Sequence, residues 1–198
     1  MVRIIQSAAS LDLIRTSVRP HAIDHGLWQP VWTIDKFIDH RDRIAKASRA
    51  GLSLAEIKAQ FDPSHGHLEV RGNLLLNEGI NELWALVCGT GATLFDNTHT
   101  YIGVGDSSTA EAATQTDLQA SSNKTYKAMD GGYPTYGTSQ YATWRSTFAT
   151  GDANYAWNEI TVSNTSSGSG KNLNRKVSSM GTKTSAASWV ATLQITLS

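Results

Sequence analysis

The stretch of sequence that decides the fold of this chain is residues 154–163, NYAWNEITVS. Its odd-numbered positions, from Tyr155 to Thr161, alternate with its even-numbered positions in size and polarity. Alternation with a period of two is the pattern of a half-buried antiparallel strand, because successive side chains point to opposite faces. Residues 189–197 repeat the pattern at the end of the chain. Both segments therefore predict strands of an antiparallel sheet.

Other segments extend this pattern to about six strands, near residues 101–104, 124–129, 141–149, 154–163, 174–179 and 189–197. Glycine and serine clusters supply the turns between them. Six strands with turn signals between them favour a β-sandwich over an open sheet. The predicted fold class is therefore α+β and mainly β, an antiparallel β-sandwich with an N-terminal helical arm and one packed helix.

Helical periodicity dominates before Gly72. Residues 33–50 place apolar side chains at three- and four-residue spacing, and residues 53–56, SLAE, form a capping box for a second helix. Residues 73–88 predict a third helix, with Trp84 and Val87 on its buried stripe and Cys88 as a small buried apolar residue. We therefore divide the chain into a helical docking region, residues 1–72, and a β-sandwich module with a leading helix, residues 73–198.

The composition limits the classes of partner. The chain has 198 residues, and 17 basic and 17 acidic residues give it a net charge of zero. This balance disfavours nucleic acid and anionic membranes as partners, since proteins that bind either usually carry an excess of basic residues. No apolar run approaches the ~18–20 residues of a membrane span, and the first residues lack a secretory signal. We expect synthesis in the cytosol and neither nucleic acid nor membrane as a partner.

The motifs of common enzymes are missing from the sequence. It contains no Gly-x-Ser-x-Gly motif, which carries the nucleophile of many hydrolases, and no glycine-rich phosphate-binding loop that ends in lysine. His65 and His67 form the one close histidine pair, which without a third ligand is weak support for a metal site. Asp106, Glu111 and Asp117 suit calcium, but an Asp106 side chain that closes its own turn is favoured. The prediction is no enzyme, no metal and no cofactor.

Four residues of the N-terminal region are predicted assembly contacts: Trp28, Trp32, Phe37 and Arg41. Aromatic and arginine side chains dominate protein interfaces, and two tryptophans flank Pro30 in a segment with little local pattern. The alternative, which we favour for the two tryptophans, is that they pack on the core of the chain itself.

Two further groups of residues have predicted roles. Gly103, Gly105 and Asp106 are predicted to form a tight bend that needs glycine geometry. Tyr133 and Tyr136 lie in a loop that we expect to be exposed, where tyrosines contact a partner or a glycan.

Several ordered motifs follow Gly72: residues 72–80, 102–110, 114–119, 123–129, 132–134, 153–159, 174–177 and 181–183. With these motifs the chain resembles a family of small virion structural proteins of tailed bacteriophages. The resemblance covers roughly the C-terminal two thirds of the chain. It implies a non-enzymatic, β-rich building block, and it brings no catalytic residue with it.

The resemblance implies a structural component of the virion that docks on capsid or tail subunits through the N-terminal region, with the β module outward. Capsid decoration is favoured over a tail or collar position. The implied partners are other virion proteins and further copies of the chain, with a trimer as one arrangement, and the implied location is the virion after synthesis in the host cytoplasm. The alternative is a receptor- or carbohydrate-binding module of a tail appendage, with Tyr133 and Tyr136 at the ligand.

Overall fold

The computed structural model describes residues 27–61 and 66–198 of the chain. These residues form three helices, α1 (Arg43–Arg49), α2 (Leu54–Phe61) and α3 (Asn77–Val87). They also form ten strands: β1 (Trp28–Ile38), β2 (Gly66–Arg71), β3 (Leu74–Leu75), β4 (Tyr101–Gly105), β5 (Lys124–Ala128), β6 (Thr135–Gly137), β7 (Tyr141–Phe148), β8 (Ala156–Ser163), β9 (Asn174–Thr182) and β10 (Ala187–Leu197). None of the helices of the described residues is both long and apolar enough to cross a membrane.

The strands form two antiparallel five-stranded sheets that share one hydrophobic core. The first sheet has the order β2-β1-β10-β7-β6, and the second has the order β3-β9-β8-β4-β5. The predicted class, α+β and mainly β in two antiparallel sheets, is confirmed. The six predicted strands correspond to β4, β5 and β7 to β10, and the remaining four strands were missed.

The prediction of a helix over residues 33–50 is wrong for its first half. Residues 28–38 form β1, which lies between β2 and β10 and pairs Trp32 with Leu193. Aromatic and β-branched residues such as Trp32 and Ile34 suit a strand, and both fill the core between the sheets. Pairing along the full length of β10 outweighs the weak helical spacing, and only Arg43–Arg49 is helical.

The interpretation of residues 1–72 as a helical arm is therefore wrong for residues 28–38 and 66–71, which form strands, whereas α1 and α2 lie between them. β1 and β2 are integral strands of the first sheet. Gly72 lies where the chain passes from β2 in the first sheet to β3 in the second. Residues 1–26 and 62–65 of this region lie outside the described residues.

Three aromatic rings of the core pack on one another. Trp157 meets Phe148 and Trp189 in edge-to-face geometry, with centroid distances of 4.6 and 4.8 Å. The strict alternation predicted for β8 fails at one point, because the pairing with β9 shifts register between Trp157 and Glu159. This irregularity lets both Trp157 and Ile160 face the core, although they stand an odd number of residues apart.

Helices α1 and α2 cover one end of the outer face of the first sheet. Ile44 and Ile57 pack there on Phe37 and Val190. The buried Asp39 carboxylate accepts hydrogen bonds from the backbone N–H groups that start α1 and from the Ser188 hydroxyl. Burial alone would raise the pKa of Asp39, but these hydrogen bonds outweigh it and hold the pKa below its ordinary value.

Lys183, which follows β9, makes the free energy of unfolding depend on pH in the alkaline range. Its buried ammonium donates to the Ala149 carbonyl at 2.6 Å and to Asn154 Oδ1 at 3.0 Å. Burial, partly opposed by Asp152, lowers the pKa of Lys183 from 10.5 to about 8. Between these two values the unfolded chain holds more protons than the folded chain, so the free energy of unfolding rises with pH.

We therefore expect the free energy of unfolding of the wild type to rise relative to that of Lys183→Met between pH 8 and 10.5. Urea denaturation of both proteins across this range measures the difference, and the comparison cancels the titration of all other groups. A difference that stays constant or falls with pH would contradict this assignment.

Candidate functional site: an anchored loop and the outer side of helix α3

A long loop, residues 106–123, connects β4 to β5 and contains neither helix nor strand. It folds back over the outer face of the second sheet, where Leu118 and Ala120 become buried. A loop of this length without secondary structure needs side-chain anchors to hold one conformation, because its backbone polar groups have no ladder to pair with. Its anchors come from β8 and β9.

The main anchor is a buried ion pair between Glu159 of β8 and Arg175 of β9. Arg175 Nε and Nη2 lie 2.8 and 2.7 Å from Glu159 Oε2, and both side chains are at most 1% exposed. Glu159 accepts two further bonds from the loop, from the backbone N–H groups of Gln119 and Ala120, at 2.8 and 2.7 Å. A buried carboxylate is stable here because every bond it accepts is charge-assisted.

Arg175 holds the other half of the loop. Its guanidinium donates to the Thr109 carbonyl at 2.9 Å and to Gln115 Oε1 at 2.9 Å. Glu111 accepts a hydrogen bond from the Val177 backbone N–H. The ion pair therefore fastens both the beginning and the end of the loop to the same two strands.

Asp117 is the centre of a second set of contacts. It pairs with Lys124 at 2.6 Å and accepts a hydrogen bond from the Tyr126 hydroxyl. Burial, together with this hydrogen bond, raises the pKa of Tyr126. Because its oxygens are bound within the protein, Asp117 has a structural role in this loop.

The predicted bend at Gly103, Gly105 and Asp106 is corrected by the structure. Both glycines lie within strand β4, and neither has a positive φ. Glycine is needed at both positions because side chains of neighbouring strands leave no room for a Cβ atom. A Cβ on Gly103 would lie 2.6 Å from the Tyr126 ring, and one on Gly105 would lie 2.4 Å from Glu159 Oε1. Asp106 accepts a hydrogen bond from the Asn123 side chain at 2.7 Å across the loop.

Five of the eight motifs that carry the resemblance contribute to these contacts: residues 102–110, 114–119, 123–129, 153–159 and 174–177. Strand β4, the loop, the start of β5, β8 and the start of β9 each contribute at least one of the residues in contact. Glu159 and Arg175 were not among the predicted site residues. A sequence signal for them exists: each of two clearly predicted neighbouring strands carries one charged residue. If both strands are buried, these two charges must pair with each other.

Helix α3 lies against the other end of the second sheet. Glu78 accepts bonds from Asn172, and Glu82 accepts bonds from Asn164 and from the Thr93 backbone N–H. Gly79 touches the backbone of Leu173 so closely that a Cβ there would lie 2.4 Å from the Leu173 carbonyl oxygen. These contacts fix which side of the helix faces the sandwich.

The prediction that Trp84, Val87 and Cys88 are buried is wrong. Trp84 is 63% exposed, Val87 is 75% exposed, and the Cys88 thiol is exposed. The reason is the close approach at Gly79, which turns the side of α3 that carries Glu78, Glu82 and Leu83 toward the sandwich. An apolar face thus remains on the outer side of the helix.

We expect Gly79→Ala to lower the free energy of unfolding by about 1–3 kcal/mol, because the methyl group overlaps a backbone that hydrogen bonds to Val162 and Leu76 hold in place. In a helix without such a contact the same substitution stabilises by about 1 kcal/mol. Chemical denaturation measures the change.

Asn81→Ala, on the exposed side of the same helix, is the matched control and should gain a few tenths of a kcal/mol from helix propensity. If Gly79→Ala also stabilised the protein, the packing of α3 described above would be wrong.

The predicted assembly residues do not form one surface. Trp32 and Phe37 are buried on opposite faces of β1, in the main core and under the helices. Trp28 is partly buried, and its indole N–H donates to Asn73 Oδ1 at 3.0 Å. Arg41 alone is exposed. Trp32 and Phe37 are therefore corrected to core residues, and for Trp32 this is the outcome that the alternative predicted.

The two tyrosines of the predicted ligand loop differ from each other. Tyr136 is 90% exposed on edge strand β6. Tyr133 is half-buried, and its ring lies 4.3 Å from the guanidinium of Arg145. Tyr136 is therefore accessible to a ligand, whereas the Tyr133 ring makes a cation–π contact with Arg145 within the protein.

The polar clusters of the described residues are internally bonded. Within residues 27–61 and 66–198, no three His, Cys, Asp or Glu side chains stand close enough to hold a metal ion. A surface depression of about 400 Å³ is lined by side chains such as Thr33, Glu69 and Thr192 on the outer face of the first sheet. In comparisons with known proteins, no protein-family model matches the chain, and no curated protein and no solved structure matches it either.

Proposed function

We propose that this protein is a non-enzymatic structural component of a tailed-phage virion. One observation carries the proposal: five of the eight motifs that resemble the virion family contribute to the contacts around Glu159, Arg175 and Asp117, in which the charged groups anchor a loop. A module whose charged side chains hold a long loop against its sheets suits a protein that is repeated in an assembly. The net charge of zero also suits close packing of copies, because self-repulsion is small.

Within the virion we propose capsid decoration ahead of a tail or collar position, with other virion proteins and further copies of the chain as partners. β1 and β2 are strands of the sandwich, so these two segments of the N-terminal region are not free to dock as a separate arm.

The test uses particles released by cells that carry the native genome of this protein. A gold-labelled antibody against the chain locates it, and a quantitative gel counts its copies per particle. Particles from a genome in which this coding sequence is deleted are the control. Many copies over the head would support decoration, and a few copies at one end would support a tail or collar component. Particles without label would overturn the proposal.

The exposure of Tyr136 favours a second candidate, a receptor- or carbohydrate-binding module. Exposed aromatic side chains on an edge strand can stack on sugar rings. A glycan array tests it with the wild type, Tyr136→Ala and the neighbouring control Thr138→Ala. Binding that Tyr136→Ala alone abolishes would support this function, and a wild type that binds no glycan would count against it.

A further inference from the structure

Strand β2 lies at one end of the first sheet, and among the described residues only β1 pairs with it. It has six residues, whereas the end strands β3 and β6 have two and three. The fourth end strand, β5, is also bonded to β7, because the Ser146 hydroxyl donates to the Lys127 carbonyl at 3.1 Å. β2 is therefore the longest sheet edge without a second neighbour in the part of the chain that the structure describes.

The pairing with β1 shows which backbone groups of β2 point away from the sheet. The Gly72 N–H donates to the Pro30 carbonyl at 3.0 Å, so the even-numbered residues of β2 bond to β1. Because bonded and unbonded positions alternate in an antiparallel pair, the N–H and C=O groups of His67, Glu69 and Arg71 point outward. No described residue bonds to these backbone groups. An edge of this kind is a template for one further strand.

The side chains of β2 select the strand that fits beside it. Glu69 and Arg71 lie on the outer face of the sheet, where they form an exposed ion pair of 2.6 Å. Leu68 and Val70 face the main core but are only partly buried. A matching antiparallel strand therefore needs an acidic and a basic residue two positions apart, with an apolar residue between them. β2 itself has this order in Glu69, Val70 and Arg71.

We propose that β2 pairs antiparallel with β2 of a second copy of the chain, about a twofold axis at Val70. In this register Glu69 lies directly opposite Arg71 of the second copy, and Arg71 lies opposite the second copy's Glu69, so opposite charges meet on both sides of the axis. The two Val70 side chains meet at the axis itself, at an unbonded pair, where side chains stand closest. Leu68 lies opposite Gly72 of the second copy, where a Cβ would touch nothing within 4 Å and the space is open.

Charge favours this register over its two neighbours. An axis at Glu69 would place that carboxylate opposite itself, and like charges directly opposite each other destabilise a sheet. An axis at Leu68 would place Glu69 opposite His67, whose Nδ1 already lies 2.7 Å from the buried Asp35 carboxylate. That axis would also deprive Arg71 of a carboxylate, although arginine is the side chain that pairs best with one.

The contact is small, so we expect a weak dimer. It adds about four backbone hydrogen bonds and joins the two five-stranded sheets into one. Interfaces of small area bind weakly, and we expect a dissociation constant in the micromolar range. Unfolding measured well below this concentration reports on the monomer. The contact rests on the proposed function only in that copies of the chain are partners there, and copies held side by side would strengthen it.

Exchange of the two charges tests the register, with analytical ultracentrifugation of the purified full-length protein. Glu69→Arg and Arg71→Glu each place like charges opposite each other, so each should weaken dimerisation on the order of tenfold or more. The double variant Glu69→Arg/Arg71→Glu restores opposite charges and should dimerise like the wild type. A mixture of the two single variants should form mixed dimers. The matched control Arg49→Glu, at an exposed position of α1, should dimerise like the wild type.

A disulfide locates the axis independently. All cysteine variants carry Cys88→Ser, which removes the exposed native thiol. Val70→Cys places two thiols at the axis with Cα atoms about 4.5 Å apart, a separation that a disulfide spans. Mild oxidation should therefore give covalent dimers of Val70→Cys, whereas Leu68→Cys should remain monomeric. Circular dichroism checks that every variant is folded.

Three results would overturn the proposal. They are a wild type that stays monomeric throughout the micromolar range, a double charge variant that dimerises no better than the single variants, and covalent dimers of Leu68→Cys in place of Val70→Cys. All of these measurements use purified protein without particles. A failure here therefore leaves the proposed virion function to its own test, and a particle without label leaves this dimer untouched.

Discussion

Glu159→Gln is expected to lower the free energy of unfolding by about 3–5 kcal/mol. The substitution keeps the shape of the side chain but leaves the Arg175 guanidinium buried without a counter-charge. It also turns an amide –NH₂ toward positions that now receive N–H donors from Gln119, Ala120 and Arg175. Urea denaturation measures the loss, and hydrogen exchange should show early opening of the Gln119 and Ala120 amides.

The matched control is Glu69→Gln, which removes a surface carboxylate that pairs with Arg71 in water. Exposed pairs contribute little, so this variant should lie within about 1 kcal/mol of the wild type. Combining Glu159→Gln with Arg175→Met removes the uncompensated charge and should recover part of the loss. Equal stability of Glu159→Gln and Glu69→Gln would show that the ion pair does not anchor the loop.

Arg145→Met is expected to destabilise the opposite side of the sandwich by a similar amount, about 3–5 kcal/mol. Arg145 of β7 is 1% exposed and holds Asp130 at 2.8 Å. Its guanidinium also donates to the Leu52 carbonyl at 3.1 Å and lies under the Tyr133 ring. Methionine fills the space of the stem but leaves the buried Asp130 carboxylate without its cation. The contacts to the connection between α1 and α2 and to the Tyr133 loop are lost together.

Arg71→Met, at a side chain that is 78% exposed, is the control and should change the free energy of unfolding by less than about 1 kcal/mol. Arg145 and Glu159 lie on the outer faces of different sheets, about 10 Å or more apart. The double variant of Arg145→Met and Glu159→Gln should therefore lose the sum of the two single losses. A marked departure from additivity would show that the two networks are coupled through the core.

These two ion pairs explain how a chain with so many small polar residues keeps one structure. The pair of Glu159 and Arg175 holds the loop of residues 106–123 against β8 and β9. The pair of Arg145 and Asp130 lies beside the segment around Tyr133, whose ring contacts the Arg145 guanidinium. The sheets supply the hydrophobic core, and the pairs fix the loops that form the outer surfaces. The proposed virion role depends on these surfaces being presented in the same way on every copy.

The sequence by itself determined the fold class and the six strands with clear alternation. Period-two patterns such as that of β8 and β10 reflect a local property, the direction of successive side chains, and a local property can be read from neighbouring residues. The long β1 was not predictable in this way. Its residues have an ambiguous spacing, and pairing with β10 at the far end of the chain decides their conformation.

Only the tertiary structure decided which residues meet. Gly103 and Gly105 looked like a bend, but the Tyr126 ring and the Glu159 carboxylate, both from other strands, explain their lack of a side chain. Trp84 and Val87 fit a buried helical stripe, yet the contact of Gly79 with Leu173 turns them to the surface. The pairing of Glu159 with Arg175 joins two strands of the second sheet. Contacts between residues distant in sequence set these outcomes, and the alternation of polar and apolar residues carries no record of them.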